Sequence, residues 1–160
     1  MKVREGMKYL LDEDETYNVP SWFPIQFRYD SCGTDYVDFS QEFLKVKRGF
    51  AWNGANGFPD FKWVMVPSKI HDAMLWVLHY NSHKFNYGTN EWDRDYDLMD
   101  PTTYREMKRA IDQWFADECK ARLPRWARVT PFIMFIAVNR ASKFVPGKDQ
   151  AEAHEVVEYV

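Results

Sequence analysis

The hydrophobic pattern of this chain changes near residue 68, and that change restricts the folds it can adopt. Before residue 68, apolar and polar residues alternate in short runs, as Ile25, Phe27 and Tyr29 do with the polar residues between them. Such alternation is typical of half-buried β-strands. After residue 68, apolar residues recur at the spacing of one helix face. We therefore predict an α+β fold, in which short antiparallel strands and loops precede a C-terminal bundle of about three helices.

One domain can accommodate this change of character. The chain has 160 residues, which is near the commonest size of a single domain, and its sequence contains no repeat, low-complexity segment or linker. We expect residues 1–160 to fold together. Within this domain we expect a strand- and loop-rich part at residues 1–68, a helical part at residues 69–145 and a polar surface tail at residues 146–160.

The helices are predicted from their end signals. Ser68 is the predicted N-cap of the first helix, which carries an apolar stripe to about residue 80. The Asp100-Pro101 pair supplies an N-cap and a first-turn proline for the second helix, and Pro124 ends it. The third helix is predicted at residues 130–138, with a buried strand as the alternative because this run is nearly all apolar and partly β-branched.

The other segments are predicted as strands, turns and loops. Short strands are expected at residues 36–39 and 43–50, where apolar and polar residues alternate. Residues 52–59 hold two Asn-Gly pairs and a proline, which require an irregular loop. Residues 81–98 are polar and aromatic without a clear period, so we interpret them as a long loop. The acidic residues 12–15 are predicted to form a solvated turn.

Charge, hydropathy and cysteine spacing argue against several kinds of partner and cofactor. The net charge of −3 offers no broad basic field, so no nucleic-acid partner is expected. Residues 1–11 lack the apolar run of a signal peptide, and the apolar run at residues 131–138 is far shorter than the ~20 residues that span a bilayer. Cys32 and Cys119 lack a zinc-site spacing. We expect two buried free thiols, with a disulfide as the alternative.

The densest polar chemistry of the sequence lies at the adjacent His71 and Asp72. Both are predicted in the first turn of a helix, where Asp72 could simply balance the helix dipole and His71 could be a hydrogen-bonded, partly buried imidazole. In the functional interpretation, His71 is a general base whose other ring nitrogen is held by a carboxylate. Asp112 is the candidate carboxylate, because it lies beside the apolar stripe of the second helix; a position at the solvent edge is the alternative.

Two metal sites can be considered from ligand type and spacing. Calcium needs several oxygen ligands, which the Asp72 carboxylate and the backbone carbonyls of the Asn/Gly loop at residues 52–57 could supply. His79 and His83 stand four residues apart, which suits two zinc ligands on one helix face. No glutamate completes a zinc-protease motif there, so calcium is the better candidate.

The order of these features resembles a bacteriophage and prophage family catalogued as domain of unknown function 1353. Its members look like Gly-Phe-x-x-Asp-Gly-Ala-Ser-x-Pro, followed by a His-Asp pair, a later aspartate with an aromatic residue, and a proline-tryptophan segment. This sequence departs from the pattern at Asn53, where the family has aspartate, at Asn56, where it has serine, and in a longer segment between the His-Asp helix and the Asp112 helix. The resemblance covers roughly residues 44–138. Its matching residues are Gly49, Phe50, Gly54 and Ala55 with Pro59, His71-Asp72, Asp112 with Trp114 and Phe115, and Pro124 with Trp126.

The same motif order is similar to that of calcium-dependent phospholipases, and this likeness implies a role for each matched residue. His71 would activate a water molecule, and Asp112 would orient His71. Asp72 would bind calcium together with carbonyl groups of the glycine loop at Trp52 and Gly54. The remaining loop positions would shape that site, and they are Asn53, Asn56, Gly57 and Pro59.

Two functional hypotheses follow. In the first, the chain is a small bacteriophage protein, virion-associated or accessory, that is built on a hydrolase-like fold and binds other phage proteins; an aromatic content of 18% suits such interfaces. In the alternative, it is a calcium-assisted, phospholipase-like or cell-envelope hydrolase that uses His71 as general base on a lipid or cell-envelope substrate. Either protein would be located in the virion or in the cytoplasm of the infected bacterium.

Overall fold

The computed structural model describes residues 9–24, 36–54, 62–86, 88–89 and 91–123. Within these ranges the predicted α+β class is confirmed, because short antiparallel strands accompany two long helices. In chain order the elements are β1 (Tyr9–Leu10), β2 (Glu15–Asn18), β3 (Val37–Phe39), β4 (Phe43–Val46), β5 (Ala51–Trp52), α1 (Lys62–Ser82), β6 (His83–Asn86), β7 (Glu91–Arg94) and α2 (Pro101–Arg122).

The described residues of the first half of the chain form two small antiparallel sheets. One has the strand order β2-β4-β3, and the other pairs β1 with β5. The strand predicted at residues 36–39 is confirmed as β3, whereas the one predicted at residues 43–50 is shorter and ends at Val46. The chain turns after Val46 because Gly49 adopts a φ of 92°, a backbone conformation that residues with a Cβ atom rarely adopt. The strand predicted at residues 25–29 lies outside the described residues.

Helix α1 begins at Lys62, so the prediction that Ser68 caps it is wrong. Pro67 lies inside the helix, and the hydroxyl of Ser68 donates back to the carbonyl three residues earlier at 2.9 Å. The additional turn is stabilised by tertiary packing, because Val64 is fully buried against the C-terminal half of α2. His71 therefore lies about two and a half turns into the helix rather than in its first turn.

The prediction of a long loop at residues 81–98 is wrong, because strands β6 and β7 form an antiparallel hairpin there. Its register pairs His83 with Arg94 at the open end and Asn86 with Glu91 near the turn. The side chain of Asn86 stabilises the turn by accepting the backbone N–H of Gly88 at 3.0 Å. The aromatic and charged residues of this segment had hidden the strand pattern.

Helix α2 begins and ends where its local signals predict. One carboxylate oxygen of Asp100 accepts the backbone N–H groups of Thr102 at 2.8 Å and Thr103 at 3.1 Å, and the helix ends at Arg122, before Pro124. The described part of the chain thus contains two helices rather than about three. The third predicted helix, at residues 130–138, lies outside the described residues.

The core lies between the strands and the paired helices. Phe23 joins the two layers, because its ring packs edge-on against Phe39 of β3 and against Trp114 of α2. Cys119 is buried with a free thiol, and Cys32 lies outside the described residues. Neither described helix is long and apolar enough to cross a membrane. The largest fully buried side chains are Trp114, Phe39, Phe50, Phe115, Leu44, Ile70, Met74, Leu78, Met107 and Ile111.

We predict that Asp100→Ala lowers the free energy of unfolding by about 1 kcal/mol, because two N–H groups at the start of α2 lose their acceptor. Urea denaturation of the purified protein measures this change. Asp97→Ala removes an exposed carboxylate from the same segment and should change the free energy by less than about 0.5 kcal/mol. Equal losses in the two variants would refute the capping role.

Candidate functional site

His71 and Asp112 meet where α1 packs against α2. Nε2 of His71 lies 2.9 Å from Oδ1 of Asp112, although the two residues are 41 positions apart in the sequence. Asp112 is fully buried, and the alternative that places it at the solvent edge is therefore wrong. His71 is 8% exposed. The structure thus brings together the two residues that were predicted to be catalytic, and it encloses both.

Lys108 holds the second oxygen of Asp112. Its Nζ lies 2.8 Å from Oδ2, one helical turn before Asp112 on α2, and the lysine side chain is 16% exposed. A buried carboxylate is costly unless charged or hydrogen-bonding partners surround it. Lys108 and His71 provide those partners from opposite sides, which fixes the orientation of the carboxylate. Sequence analysis missed Lys108, although its spacing of four residues from Asp112 on one helix was a usable signal.

Asp72 lies on the other side of the imidazole. Its Oδ1 is 3.6 Å from Nδ1 of His71, which is longer than a direct hydrogen bond, and its Oδ2 is 3.4 Å from the backbone nitrogen of Asn53. Phe115 packs edge-on against the imidazole at 5.3 Å between ring centroids. Because His71 and Asp72 are far from the start of α1, the helix-dipole explanation for Asp72 is wrong.

The two carboxylates control the protonation of His71. Burial by itself would lower the pKa of the imidazole, but hydrogen bonding to Asp112 and the nearby charge of Asp72 raise the pKa above its ordinary value. The protonated ring would carry one positive charge between two negative ones. Lys108 adds a second positive charge beside Asp112, so the four groups balance one another.

The loop after β5 approaches Asp72 but presents a hydrogen-bond donor to it. Gly54 adopts a φ of 77°, Trp52 is buried, and the group of this loop that faces Asp72 is the backbone N–H of Asn53. Calcium would require carbonyl oxygens at this position. Among the residues that the structure describes, no group of three or more His, Cys, Asp or Glu side chains could hold a metal ion. Asn56, Gly57 and Pro59 of the predicted loop lie outside the described residues, so the calcium site stays a prediction.

A second ion pair, formed by a buried lysine and a half-buried glutamate, lies next to this loop. Nζ of Lys69 is 2.6 Å from Oε1 of Glu15 and 5.1 Å from the ring centroid of Trp52, and the Lys69 side chain is 6% exposed. Tyr17 donates its hydroxyl hydrogen to the same carboxylate. Glu15 thus belongs to β2 and pairs with α1, so the prediction of a solvated turn at residues 12–15 is wrong at this residue. The pair joins β2 to α1.

No sequence family, curated protein or solved structure matches this chain. The resemblance to the bacteriophage family therefore stays a prediction. The geometry of the site, rather than relatives, has to support any functional argument.

We predict that Asp112→Asn lowers the free energy of unfolding by about 3–5 kcal/mol, because His71 and Lys108 lose a buried counter-charge. The same change should move the pKa of His71 from above to below its ordinary value, since burial then outweighs the remaining charge of Asp72. Denaturation and NMR titration of the His71 ring measure the two effects.

Asp117→Asn is the matched control for this prediction. Asp117 lies on the same helix, is exposed and bonds Gln113 at 2.9 Å. We expect it to change neither the pKa of His71 nor, beyond about 0.5 kcal/mol, the stability. An unchanged His71 titration in Asp112→Asn would show that the pair does not act as the structure indicates.

Proposed function

We propose that this chain is a small bacteriophage protein in which His71 and Asp112 form a water-activating pair of a hydrolase. One observation carries the proposal, namely the 2.9 Å contact from Nε2 of His71 to a buried carboxylate whose other oxygen is held by Lys108. This arrangement fixes the N–H of the neutral imidazole on Nε2. The lone pair is then on Nδ1, where a general base needs it.

The geometry supports a simple first step. Because Nδ1 is 3.6 Å from Oδ1 of Asp72, a water molecule at the edge of this gap could donate one hydrogen to each acceptor. Nδ1 of His71 would take a proton from that water while the oxygen of the water attacks the carbonyl carbon of an ester or amide. The imidazolium, paired with Asp112, would then return the proton to the leaving group. Asp72 would stabilise the imidazolium in between.

The substrate class and the calcium requirement rest on the resemblance. It favours an ester or amide of a lipid or of the bacterial cell envelope. Calcium would supply a positive charge at the developing oxyanion, with Asp72 and the carbonyl groups of Trp52 and Gly54 as its expected ligands. Because the described loop presents an N–H to Asp72, the mechanism above uses Asp72 as a hydrogen-bond acceptor and negative charge beside His71 and does not depend on calcium.

We predict that His71→Ala lowers the rate of hydrolysis by about 10²–10⁴-fold on the best substrate of a screen that combines phospholipids, short-chain esters and peptidoglycan. The base must be neutral to accept a proton, and the carboxylates raise the pKa of His71. The rate should therefore rise with pH until it passes this raised pKa. Initial rates between about pH 6 and about pH 10 measure the profile.

His154→Ala is the control, because it removes another of the four histidines. Its rate should equal that of the unaltered protein. Calorimetry with calcium chloride on the protein and on Asp72→Asn tests the metal separately, and binding that Asp72→Asn abolishes would restore calcium to the mechanism. The hydrolase proposal would be refuted if His71→Ala kept full activity. It would also be refuted if the unaltered protein hydrolysed no substrate of the screen.

A second candidate function is the virion-associated or accessory interaction protein. The specific observation that favours it is the low exposure of His71 combined with large apolar side chains that face solvent. A network that is buried for stability needs no access for substrate, and exposed aromatic groups suit contacts with other phage proteins. The exposed apolar residues are Trp22, Phe43, Tyr80, Tyr96 and Leu98.

For this candidate we predict that the chain remains with gradient-purified virions at a constant ratio to the capsid protein. Quantitative mass spectrometry across the gradient measures that ratio. A matched phage that carries Tyr96→Asp and Leu98→Asp, which place charges on the exposed surface, should lose the chain from its virions. Absence of the chain from virions of the unaltered phage would exclude the virion-associated form.

A further inference from the structure

Two other histidines meet at the opposite end of α1. His79 lies in the last turn of the helix, His83 begins β6, and their Nδ1 atoms are 3.3 Å apart. They are 3% and 9% exposed, respectively. Two nitrogens at this distance can share one hydrogen but cannot each carry one, because two N–H groups would then point at each other.

Ser82 decides which nitrogen carries the hydrogen. Its hydroxyl donates to the backbone carbonyl of Leu78 at 2.6 Å, so its oxygen is left to accept from Nδ1 of His83 at 2.8 Å. The hydrogen therefore belongs to Nδ1 of His83, which donates it to the hydroxyl oxygen of Ser82 at 2.8 Å and, more weakly, to Nδ1 of His79 at 3.3 Å. Nδ1 of His79 is an unprotonated acceptor, and both rings are neutral in this arrangement.

Burial and Arg94 oppose a positive charge on this pair, and they outweigh a hydrogen bond to the backbone of His79 that raises the pKa of His83. Tyr104 of α2 packs against both rings, at 6.3 Å from His79 and 5.8 Å from His83 between ring centroids. Cζ of Arg94 in β7 lies 4.4 Å from the ring centroid of Tyr104. The same atom lies 5.2 Å from the ring centroid of the exposed Tyr96. Within the described ranges, no carboxylate lies at hydrogen-bond distance from either imidazole. The neighbouring charge is thus a guanidinium rather than a carboxylate.

We propose that His79 and His83 form an acid-sensitive latch, which holds the hairpin β6–β7 against α1 and α2 while both rings are neutral. Uptake of a proton on Nδ1 of His79 removes the acceptor and places a charge beside His83 and Arg94. The rings must then separate. Since His83 is paired with Arg94 at the open end of the hairpin, this separation releases the hairpin from that end.

The release would also alter a neighbouring cavity. Asn81, which lies between the two histidines in the sequence, and Tyr96, which follows β7, line a cavity of about 270 Å³ at the start of α2. Asp100 and Thr103 of the helix cap form part of the same wall. The latch acts at a site separate from His71, so it does not depend on the proposed hydrolysis.

The direction of the pH effect follows from linkage. Burial lowers the pKa of His79 to about 3, with a further contribution from His83, and burial and Arg94 lower the pKa of His83. A released pair would return to the ordinary value near 6.5 and would bind more protons than the docked pair. Docking is therefore strongest above that value and weakens as the pH falls below it.

Hydrogen exchange tests the latch in the full chain. We expect the protection of the backbone amides in β6 and β7, corrected for intrinsic exchange, to fall by about tenfold or more between about pH 7.5 and about pH 4.5. The amides of α2 serve as the internal reference and should keep their protection over most of this range. Constant protection in the hairpin would overturn the proposal.

Two variants separate the latch from general acid destabilisation. His79→Asn keeps a hydrogen-bond acceptor near the position of Nδ1 but cannot take up a proton, so the pH dependence of hairpin protection should become several-fold weaker. His154→Asn, the matched control, should behave like the unaltered protein. An equal pH dependence in His79→Asn and the unaltered chain would overturn the latch.

NMR titration of the unaltered protein provides the second measurement, because it needs no variant. The ring nitrogens of His79 and His83 should remain neutral until the hairpin amides lose protection, and both signals should change together. Protonation of either ring near its ordinary pKa while the hairpin is still protected would contradict the proposal. So would a bound Zn²⁺ whose removal by a chelator abolishes the pH dependence of hairpin protection.

Discussion

The buried carboxylate of Asp112 determines how the two helices fit together. It is held by His71 from the facing helix and by Lys108 from its own helix, at 2.9 and 2.8 Å. A slip of one helical turn, about 5.4 Å, would remove His71 and leave a buried charge with one partner, at a cost of several kcal/mol. Apolar packing alone tolerates such slips better. This polar contact therefore sets the register on which the remaining helix contacts depend.

The same register creates two different environments for histidine. Moving eight residues in opposite directions along the two helices leads from the His71–Asp112 contact to the His79–Tyr104 contact. At the first position two carboxylates raise the pKa of the imidazole, whereas at the second burial lowers it beside a second histidine. One helix pair thus holds one histidine that favours a proton and another that excludes it.

Local sequence signals predicted some elements correctly and misplaced others. The N-cap of Asp100 and the end of α2 were predictable because capping depends on residues within a few positions of each other. The start of α1 was misplaced, because Ser68 looks like an N-cap whereas packing of Val64 on α2 extends the helix backwards. The hairpin was missed because its pairing, rather than an alternating pattern, defines it.

The sequence by itself determined the fold class, the second helix and the candidates His71, Asp72 and Asp112. Only the tertiary structure decided how these groups are used. It buried Asp112, added Lys108 to it and placed the N–H of Asn53, rather than a carbonyl, against Asp72. The contacts that matter join residues 41 and 54 positions apart, as in the His71–Asp112 and Glu15–Lys69 pairs. Local periodicity carries no record of such distances, because burial and partner charge arise when separate elements pack.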